Sequence, residues 1–324
     1  METTVILFLC LGAVLATDDM LKEKLGSAMG IDDTLNDNRF TSDLNVLEVA
    51  NMLGASEYVR TIVIDGLDTP LTGKGPFTLF APINREYVTQ DPWLCHYYRL
   101  NIPAMKDFVD HHTLPGIVMS SSLGNDDLLK PLKGNPLRAN IYQTGSTVVT
   151  IDGVVVSSAD HLASNGVVHL IDGILHSSVN HSTGWVVDNR SQFSTLRTAL
   201  KTAGMQSALK GPGPFTVFAP SNAAFEQLPP GVLDSLLKNP SLLEDVLKFH
   251  IVNGTYFLPG IPEGSLLTQS GQNLQFHTVS DVVEVQGTPL QDQTATSNGV
   301  VYLIESVLRP YQPDPYQFLN DLNF

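Results

Sequence analysis

The pattern of hydrophobic and polar positions predicts two similar series of helices and strands along the chain. Near the start of each series, apolar residues recur at helical spacing over residues 46–53 and 196–203, and a glycine follows each stretch. This spacing places the apolar side chains on one face of a helix. Gly54 and Gly204 are suited to end these helices, because glycine readily takes the left-handed conformation at a helix C-terminus.

Two further stretches in each series are apolar over their whole length and predict buried strands. The earlier stretch is Phe77–Ala81 in the first series and Phe215–Ala219 in the second, and a proline follows both. Proline ends such a strand because it cannot donate to a sheet ladder. The later stretch is Val167–Ile171 in the first series and Val300–Ile304 in the second. A strand that is apolar on both faces is expected in the middle of a sheet.

Polar residues next to these strands predict helix caps and turns. Asn84 and Asn222 follow the earlier strands, and we expect each to cap the helix that comes next. Asp152-Gly153 predicts a tight hairpin turn, because both residue types accept positive φ angles. Gln286-Gly287 stands at the same place in the second series.

The two series are copies of one another. Residues 75–87 match residues 213–225 at eight of thirteen positions, and residues 164–175 match residues 297–308 at eight of twelve. The offsets of 138 and 133 residues are too long for a solenoid unit and are typical of a duplicated domain. Helices, a strand, more helices and then several strands predict an α+β fold for each copy.

This repeat sets the expected domain limits. We expect a signal peptide at residues 1–16, an acidic N-terminal segment at 17–39, a first domain at 40–177, a second domain at 182–310 and a short C-terminal tail at 311–324. Below, the first copy and the second copy are the two domains within these limits.

An apolar run near the N-terminus predicts secretion. Val5–Leu15 has the length of a signal-peptide core and is too short for a membrane-spanning helix. Val14 and Ala16 supply the small residues that precede a cleavage site, so we expect cleavage after Ala16. The alternative is a buried N-terminal strand. No later run reaches the length of a membrane span and the C-terminal tail is too polar for a GPI signal, so we expect a soluble extracellular protein.

Cysteine usage makes each domain depend on its own apolar core. Cys10 lies in the apolar run, so cleavage would leave Cys95 as the one remaining cysteine. An intramolecular disulfide would then be impossible. Cys95 is either a buried side chain within Trp93–Tyr98 or a thiol that forms an intermolecular bridge.

The charge of the chain excludes one class of partner. The sequence has 33 acidic and 18 basic residues, which gives a net charge of −15, and 43% of its residues are hydrophobic. Recognition of nucleic acid requires concentrated Lys and Arg, so we expect no nucleic-acid partner. An acidic surface also disfavours docking on anionic lipid.

Each copy contains two motifs that resemble the signature sequences of the fasciclin (FAS1) family. Phe-Thr-x-Phe-Ala-Pro-x-Asn occurs at residues 77–84 and 215–222, and Asn-Gly-Val-Val-x-x-Ile occurs at residues 165–171 and 298–304. The resemblance covers nearly all of residues 40–310. It implies a compact α+β fold, a small β-sandwich with a helical layer, in a secreted protein of cell adhesion or the extracellular matrix.

Sequence motifs for catalysis do not occur in the chain. It has no His-Glu-x-x-His, Gly-x-Ser-x-Gly, Gly-rich phosphate loop or Cys-x-x-Cys sequence. The adjacent pair His111-His112 would point to opposite faces of a strand and so would not share one metal ion there. We therefore expect a protein that is not an enzyme, with no catalytic residue, metal or cofactor.

The FAS1 resemblance implies two candidate histidines for partner binding. In relatives, a Tyr-His pair between the two signature motifs is implicated in integrin binding. The histidine of this pair falls on His112 and His250, although His111 and Phe249 stand where the relatives have Tyr. The alternative is that His112 and His250 are core histidines bonded to the backbone.

The resemblance also implies two candidate aspartates. An Asp-Ile pair just before the second motif is implicated in integrin binding in relatives, and its aspartate falls on Asp160 and, with a gap of one residue, on Asp292. His161 and Gln293 follow them instead of Ile, and Arg-Gly-Asp does not occur in the chain. The alternative is a turn residue before a strand.

Three sequons predict N-glycosylation after secretion. They begin at Asn180, Asn189 and Asn253. The first two lie near the junction of the two copies, where we expect exposure. The alternative at each site is an unmodified asparagine.

Together these observations predict a secreted, non-enzymatic protein that acts in cell adhesion or in the extracellular matrix through tandem FAS1 domains. Its expected partner is a cell-surface receptor, integrins included, or a matrix protein. The alternative is an extracellular binding module for a glycan, a mineral or a small hydrophobic ligand, which the acidity and the apolar cores would suit.

We expect the chain expressed in a secretory host to begin near Thr17 and to carry glycan at Asn180 or Asn189. Intact mass measured before and after enzymatic removal of glycans tests both statements. A retained N-terminus together with an unchanged mass after deglycosylation would contradict them.

Overall fold

A computed structural model describes residues 43–89, 101–176 and 181–309. The predicted signal peptide, the acidic segment, Cys95, Asn180 and the C-terminal tail lie outside the described residues. The predicted domain limits therefore stay a prediction at both ends of each copy.

The first copy contributes five helices and seven strands to the described residues. The helices are α1 (Val46–Met52), α2 (Ser56–Ile64), α3 (Thr69–Thr72), α4 (Asn84–Thr89) and α5 (Ile102–His111). The strands are β1 (Phe77–Pro82), β2 (Thr113–Pro115), β3 (Asp127–Leu129), β4 (Leu137–Gln143), β5 (Thr147–Ile151), β6 (Val154–Ala163) and β7 (Gly166–Ile171).

The second copy repeats this arrangement within residues 181–309. Its helices are α6 (Thr183–Asn189), α7 (Ser194–Thr202), α8 (Asn222–Glu226), α9 (Val232–Lys238) and α10 (Pro240–Phe249). Its strands are β8 (Phe215–Pro220), β9 (Ile251–Asn253), β10 (Gly264–Leu267), β11 (Asn273–Val279), β12 (Val282–Val285), β13 (Thr288–Pro289), β14 (Gln291–Thr296) and β15 (Gly299–Ile304). In the part of the chain that the structure describes, no helix has both the length and the apolar character needed to cross a membrane.

The described residues cluster into two compact units that do not follow chain order. The first unit comprises residues 43–89, 101–123, 129–137 and 154–176. The second unit comprises residues 124–128, 138–153 and 181–309. The second unit thus contains the whole described second copy and the β4–β5 hairpin of the first copy.

Both units are organised around a parallel pair of strands formed by the two signature motifs. β1 pairs with β7, with Phe77 opposite Gly166, and β8 pairs with β15, with Phe215 opposite Gly299. Antiparallel neighbours extend these pairs to the orders β2-β1-β7-β6 and β9-β8-β15-β14. The shared strand order confirms the predicted duplication, and the mixture of helices and sheets confirms the α+β class.

Glycine makes this parallel pairing possible at the start of each later strand. A Cβ atom at Gly166 would lie 2.1 Å from the carbonyl oxygen of Phe77. A Cβ atom at Gly299 would lie 1.8 Å from the carbonyl oxygen of Phe215. These distances are far inside van der Waals contact, so only glycine allows the two backbones to approach this closely.

The asparagine before each of these glycines ties the helices to the strands. Asn165 Oδ1 accepts from the backbone N–H of Val46 at the start of α1, and Asn298 Oδ1 accepts from Thr183 at the start of α6. The Nδ2 group of each asparagine donates to two backbone carbonyls that precede the earlier signature strand. Each side chain therefore satisfies three backbone groups that would otherwise lack partners.

The prediction for Asn84 and Asn222 was wrong about which helix they cap. Asn84 Oδ1 accepts from the N–H of Glu57 in the first turn of α2, at 2.9 Å. Asn222 Oδ1 accepts from Thr195 in the first turn of α7, at 3.0 Å. The helix after β8 is capped instead by Ser221, which stands one residue earlier. Each asparagine thus connects the end of a signature strand to a helix distant in sequence.

The predicted glycine caps and turns are confirmed. Gly54 and Gly204 follow the C-caps of α1 and α7 with φ angles of 101° and 69°. The turns Asp152-Gly153 and Gln286-Gly287 both have positive φ at their two residues.

Alternating side chains of β8 divide the core of the second unit into two layers. Val217 and Ala219 belong to an apolar cluster with α6, α7, α9 and α10. Phe218 points the other way and packs on Phe276 of the β10–β13 sheet, with ring centroids 5.4 Å apart. This is the sandwich with a helical layer that the sequence predicts. In the first unit, Leu79 and Ala81 of β1 likewise pack against the helices.

We expect Phe218→Ala to lower the free energy of unfolding by about 3–5 kcal/mol, because it opens a cavity between the two sheets. Urea melts of the full chain test this. Leu267→Ala is the control, because its side chain is 63% exposed and its loss should change the melt little. Equal midpoints for the two variants would contradict the scaffold role of the motif.

Candidate partner-binding sites

The two candidate histidines lie inside the cores. His112 is 0% exposed and His250 is 3% exposed. Each is the C-cap residue of a helix, α5 for His112 and α10 for His250. In this structure neither ring is accessible to a partner.

Both nitrogens of each ring bind the backbone. His250 Nδ1 donates to the carbonyl of Val246 at 2.7 Å, and its Nε2 accepts from the N–H of Leu308 at 2.9 Å. His112 makes the same two bonds in the first copy, at 2.8 and 3.0 Å. Only the neutral ring with its proton on Nδ1 can donate and accept in this way. Each histidine therefore clasps the segment after the last strand of its copy to the end of a helix.

Burial keeps both rings neutral. Loss of hydration lowers the pKa of His112 to about 3 and that of His250 to about 4, and the Nδ1 bond to the backbone acts in the opposite direction. Protonation of Nε2 would also remove the acceptor that the Leu308 N–H requires.

The neighbouring His111 does not share a ligand with His112. His111 is the last residue of α5, and its Nδ1 lies 3.1 Å from the carbonyl oxygen of Lys133. The pair thus lies at a helix end, not on a strand as the sequence argument assumed. Over the residues that the structure describes, no group of three metal-ligating side chains converges.

Asp160 is partly exposed and holds a loop. Its Oδ1 accepts from the backbone N–H of Ser120 at 2.7 Å, and its Oδ2 accepts from the Ser120 hydroxyl. Partial burial alone would raise the pKa of Asp160, but these hydrogen bonds outweigh it and lower that pKa. The Asp160 N–H donates to His169 Nδ1, and His169 Nε2 donates to the carbonyl of Val118 in the same loop.

In the second copy the loop is held by Gln293, which the sequence comparison did not select. Gln293 Oε1 accepts from the N–H of Leu258 at 2.8 Å and lies 2.9 Å from the Tyr302 hydroxyl. Leu258 stands 138 residues after Ser120, and Gln293 stands 133 residues after Asp160. The two offsets of the repeat, applied without a gap, would have identified this residue.

Asp292 lies at the surface. It has a positive φ of 45°, as Asp160 has one of 67°, and both lie at irregularities in strand pairing. The side chain of Asp292 is 48% exposed and forms an ion pair with Arg190 at 2.5 Å. Of the four candidate residues, Asp292 presents the most side-chain surface to a partner.

The two sequons within the described residues have exposed asparagines. Asn189 is the last residue of α6 and donates to the carbonyl of Trp185. Asn253 is the last residue of β9 and accepts from Gln269 Nε2. A glycan on either side chain would extend into solvent.

Comparison with known proteins identifies the family. The fasciclin domain model matches residues 54–177 and 191–310. Over 272 residues the chain is 30% identical to transforming growth factor-beta-induced protein ig-h3 of Sus scrofa, an alignment that covers 82% of this chain and 39% of that protein. It is 29% identical to human periostin over 271 residues, with 82% of this chain and 32% of that protein covered. The chain thus spans well under half the length of either relative.

Shorter and structural matches agree in kind. Protein sll1483 of a Synechocystis strain is 37% identical over 128 residues, which is 39% of this chain and 71% of that protein. A solved FAS1 domain pair from the insect cell adhesion molecule Fasciclin I matches with a TM-score of 0.37 and 16% identity, covering 80% of this chain and 98% of that chain.

We expect His250→Ala to lower the free energy of unfolding by about 1–3 kcal/mol at pH 7.5, because it leaves two buried backbone groups unpaired. The pKa of His250 is lowered on folding, so the stability from the neutral ring is complete above about pH 6.5. It is lost as the pH falls towards 4. Urea melts of the variant and the unmodified chain should therefore converge over this range. A pH-independent difference would contradict the neutral clasp.

Proposed function

The chain belongs to the fasciclin domain family, and on that basis we propose that it is a secreted, non-enzymatic protein of cell adhesion or extracellular-matrix organisation. The observation that carries the proposal is the family match over both copies. The relatives that align across both copies include transforming growth factor-beta-induced protein ig-h3 and periostin, and the family is related to adhesion and matrix proteins. The N-terminal apolar run of the sequence supports export.

The roles of the described side chains suit a binding protein rather than a catalyst. Both buried histidines use their two nitrogens to hold backbone, and Asp160 and Gln293 use their oxygens to hold loops. These groups are committed to structure and have no free nitrogen or lone pair directed at a substrate. Recognition would then depend on exposed side chains.

Asp292 is the residue that we propose for contact with a receptor or matrix protein. Its carboxylate is half exposed, and its partner Arg190 is also partly exposed. An exposed ion pair of this kind contributes at most about 1 kcal/mol to stability. Asp292 can therefore be changed without loss of the fold, which makes it a clean probe of recognition.

The alternative function is a module that binds a glycan, a mineral or a small hydrophobic ligand. A cavity of about 210 Å³ lies in the second unit, between Tyr142 and the loop of residues 254–262. It is smaller than the cavities that usually hold drug-sized ligands, which are about 300–1,000 Å³. This volume favours binding at an exposed surface over enclosure of a small hydrophobic ligand.

We expect cells to attach to surfaces coated with the mature chain, and Asp292→Asn to raise the coating concentration for half-maximal attachment about tenfold, which corresponds to about 1.4 kcal/mol of binding free energy. Glu263→Gln is the matched control, because its carboxylate is 63% exposed and serves no predicted site. Attachment no better than to albumin would contradict the proposal. Binding on a glycan array without cell attachment would support the alternative function.

A further inference from the structure

Within the second unit, the β4–β5 hairpin docks on a loop through one face of β4. This hairpin face consists of alternate residues whose side chains are all buried, namely Arg138, Asn140 and Tyr142. The Tyr142 hydroxyl donates to the carbonyl of Thr255 at 2.9 Å and accepts from the N–H of Phe257 at 3.1 Å. We call residues 255–260 the receiving loop and this contact the junction.

The fit of the junction depends on a glycine. A Cβ atom at Gly260 would lie 2.3 Å from the Tyr142 ring, so the aromatic side chain lies directly on the glycine backbone. Thr255 and Phe257 are 1% exposed beneath the hairpin. The junction is therefore closely packed and carries backbone hydrogen bonds.

The second copy has the same hairpin face, and it is bare. Phe276 lies opposite Val285 in the β11–β12 hairpin, as Ala139 lies opposite Ile151 in β4–β5. By this register, the residues that correspond to Arg138, Asn140 and Tyr142 are Gln275, His277 and Val279. All three are exposed, and Val279, at the position of Tyr142, is 52% exposed.

The first copy has the same receiving loop, and it is also bare. Residues 117–122 stand 138 positions before residues 255–260, and both loops contain a short 3₁₀-helix, at Ser120–Ser122 and at Leu258–Gly260. Both loops are anchored alike, because Thr78 and Thr216 donate to the carbonyl just before each loop. Yet Ile117 is 54% exposed where Thr255 is buried.

The two bare halves are complementary in size. The used junction combines a large Tyr142 with Gly260. The bare halves combine the smaller Val279 with Ser122, the residue that stands at the position of Gly260. A side chain that is smaller by a ring leaves room for the Cβ and hydroxyl of serine. The exposed Ile117 then offers Val279 an apolar contact where Thr255 offers Tyr142 a polar one.

We propose that this chain associates with a second copy of itself by repeating the junction between molecules. The Gln275, His277 and Val279 face of one molecule docks on the loop of residues 117–122 of the next. The two halves are different surfaces, so the contact is head-to-tail and leaves one half free on each partner. The occupant is a second copy because the chain carries both halves of a junction that it already forms once.

Sedimentation velocity of the full chain over a concentration series tests the proposal. We expect the weight-average mass to rise with concentration. Ile117→Asp and Val279→Asp each remove one half, so each variant alone should sediment as single chains. An equimolar mixture retains one intact pair of halves and should form 1:1 dimers and nothing larger. Ile64→Asp, which changes a side chain that is 48% exposed on α2, is the control and should associate like the unmodified chain.

Every other pattern overturns the proposal. Single chains at all concentrations for the unmodified protein show that the bare halves do not pair. Association of either variant alone shows that another surface is used, and failure of the mixture to form dimers shows that the two halves do not meet. Circular dichroism melts establish that each variant is folded, and Ile117→Ser with Val279→Ser repeats the test with milder changes if an aspartate variant is not.

Discussion

The close parallel contact between the two signature strands is the constraint on which each copy depends. Gly166 and Gly299 let a strand near the end of a copy lie against one near its start. Everything between them must then leave the sheet and return, as helices on one face and hairpins beyond it. The asparagine before each glycine attaches the helices to this pair. The histidine clasps lie at its edge, where the Phe80 and Phe218 N–H groups bond the His112 and His250 carbonyls.

The two copies use different chemistry for the same structural task. In the first copy a carboxylate, Asp160, and an imidazole, His169, hold the loop after β2. In the second copy a carboxamide, Gln293, and a phenol, Tyr302, occupy the corresponding places. The first arrangement includes a charge and a titratable ring, whereas the second is neutral over the physiological range. The fold thus requires acceptors and donors at these points and not particular residues.

Local signals in the sequence were sufficient for the strands, the glycine caps and the turns. They were insufficient wherever a side chain acts far along the chain. Asn84 has the position of a cap for the helix after it, but it caps α2, which lies earlier in sequence. The parallel pairing of the motifs is likewise a long-range contact that periodicity does not encode. For the sites, apolar neighbours correctly indicated that His250 is buried, whereas the exposure of Asp292 and the role of Gln293 required the folded strand irregularities.

The asparagines of the Asn-Gly pairs also bear on how these domains age. In a flexible chain, the backbone nitrogen of the glycine attacks the asparagine side chain, and the resulting ring opens to aspartate or isoaspartate. Within the fold, Asn165 and Asn298 are held by three hydrogen bonds each. A carboxylate in their place cannot donate to the two carbonyls. Each excursion to the unfolded state therefore exposes these residues to a covalent change that weakens refolding, so thermodynamic stability protects these domains against chemical wear.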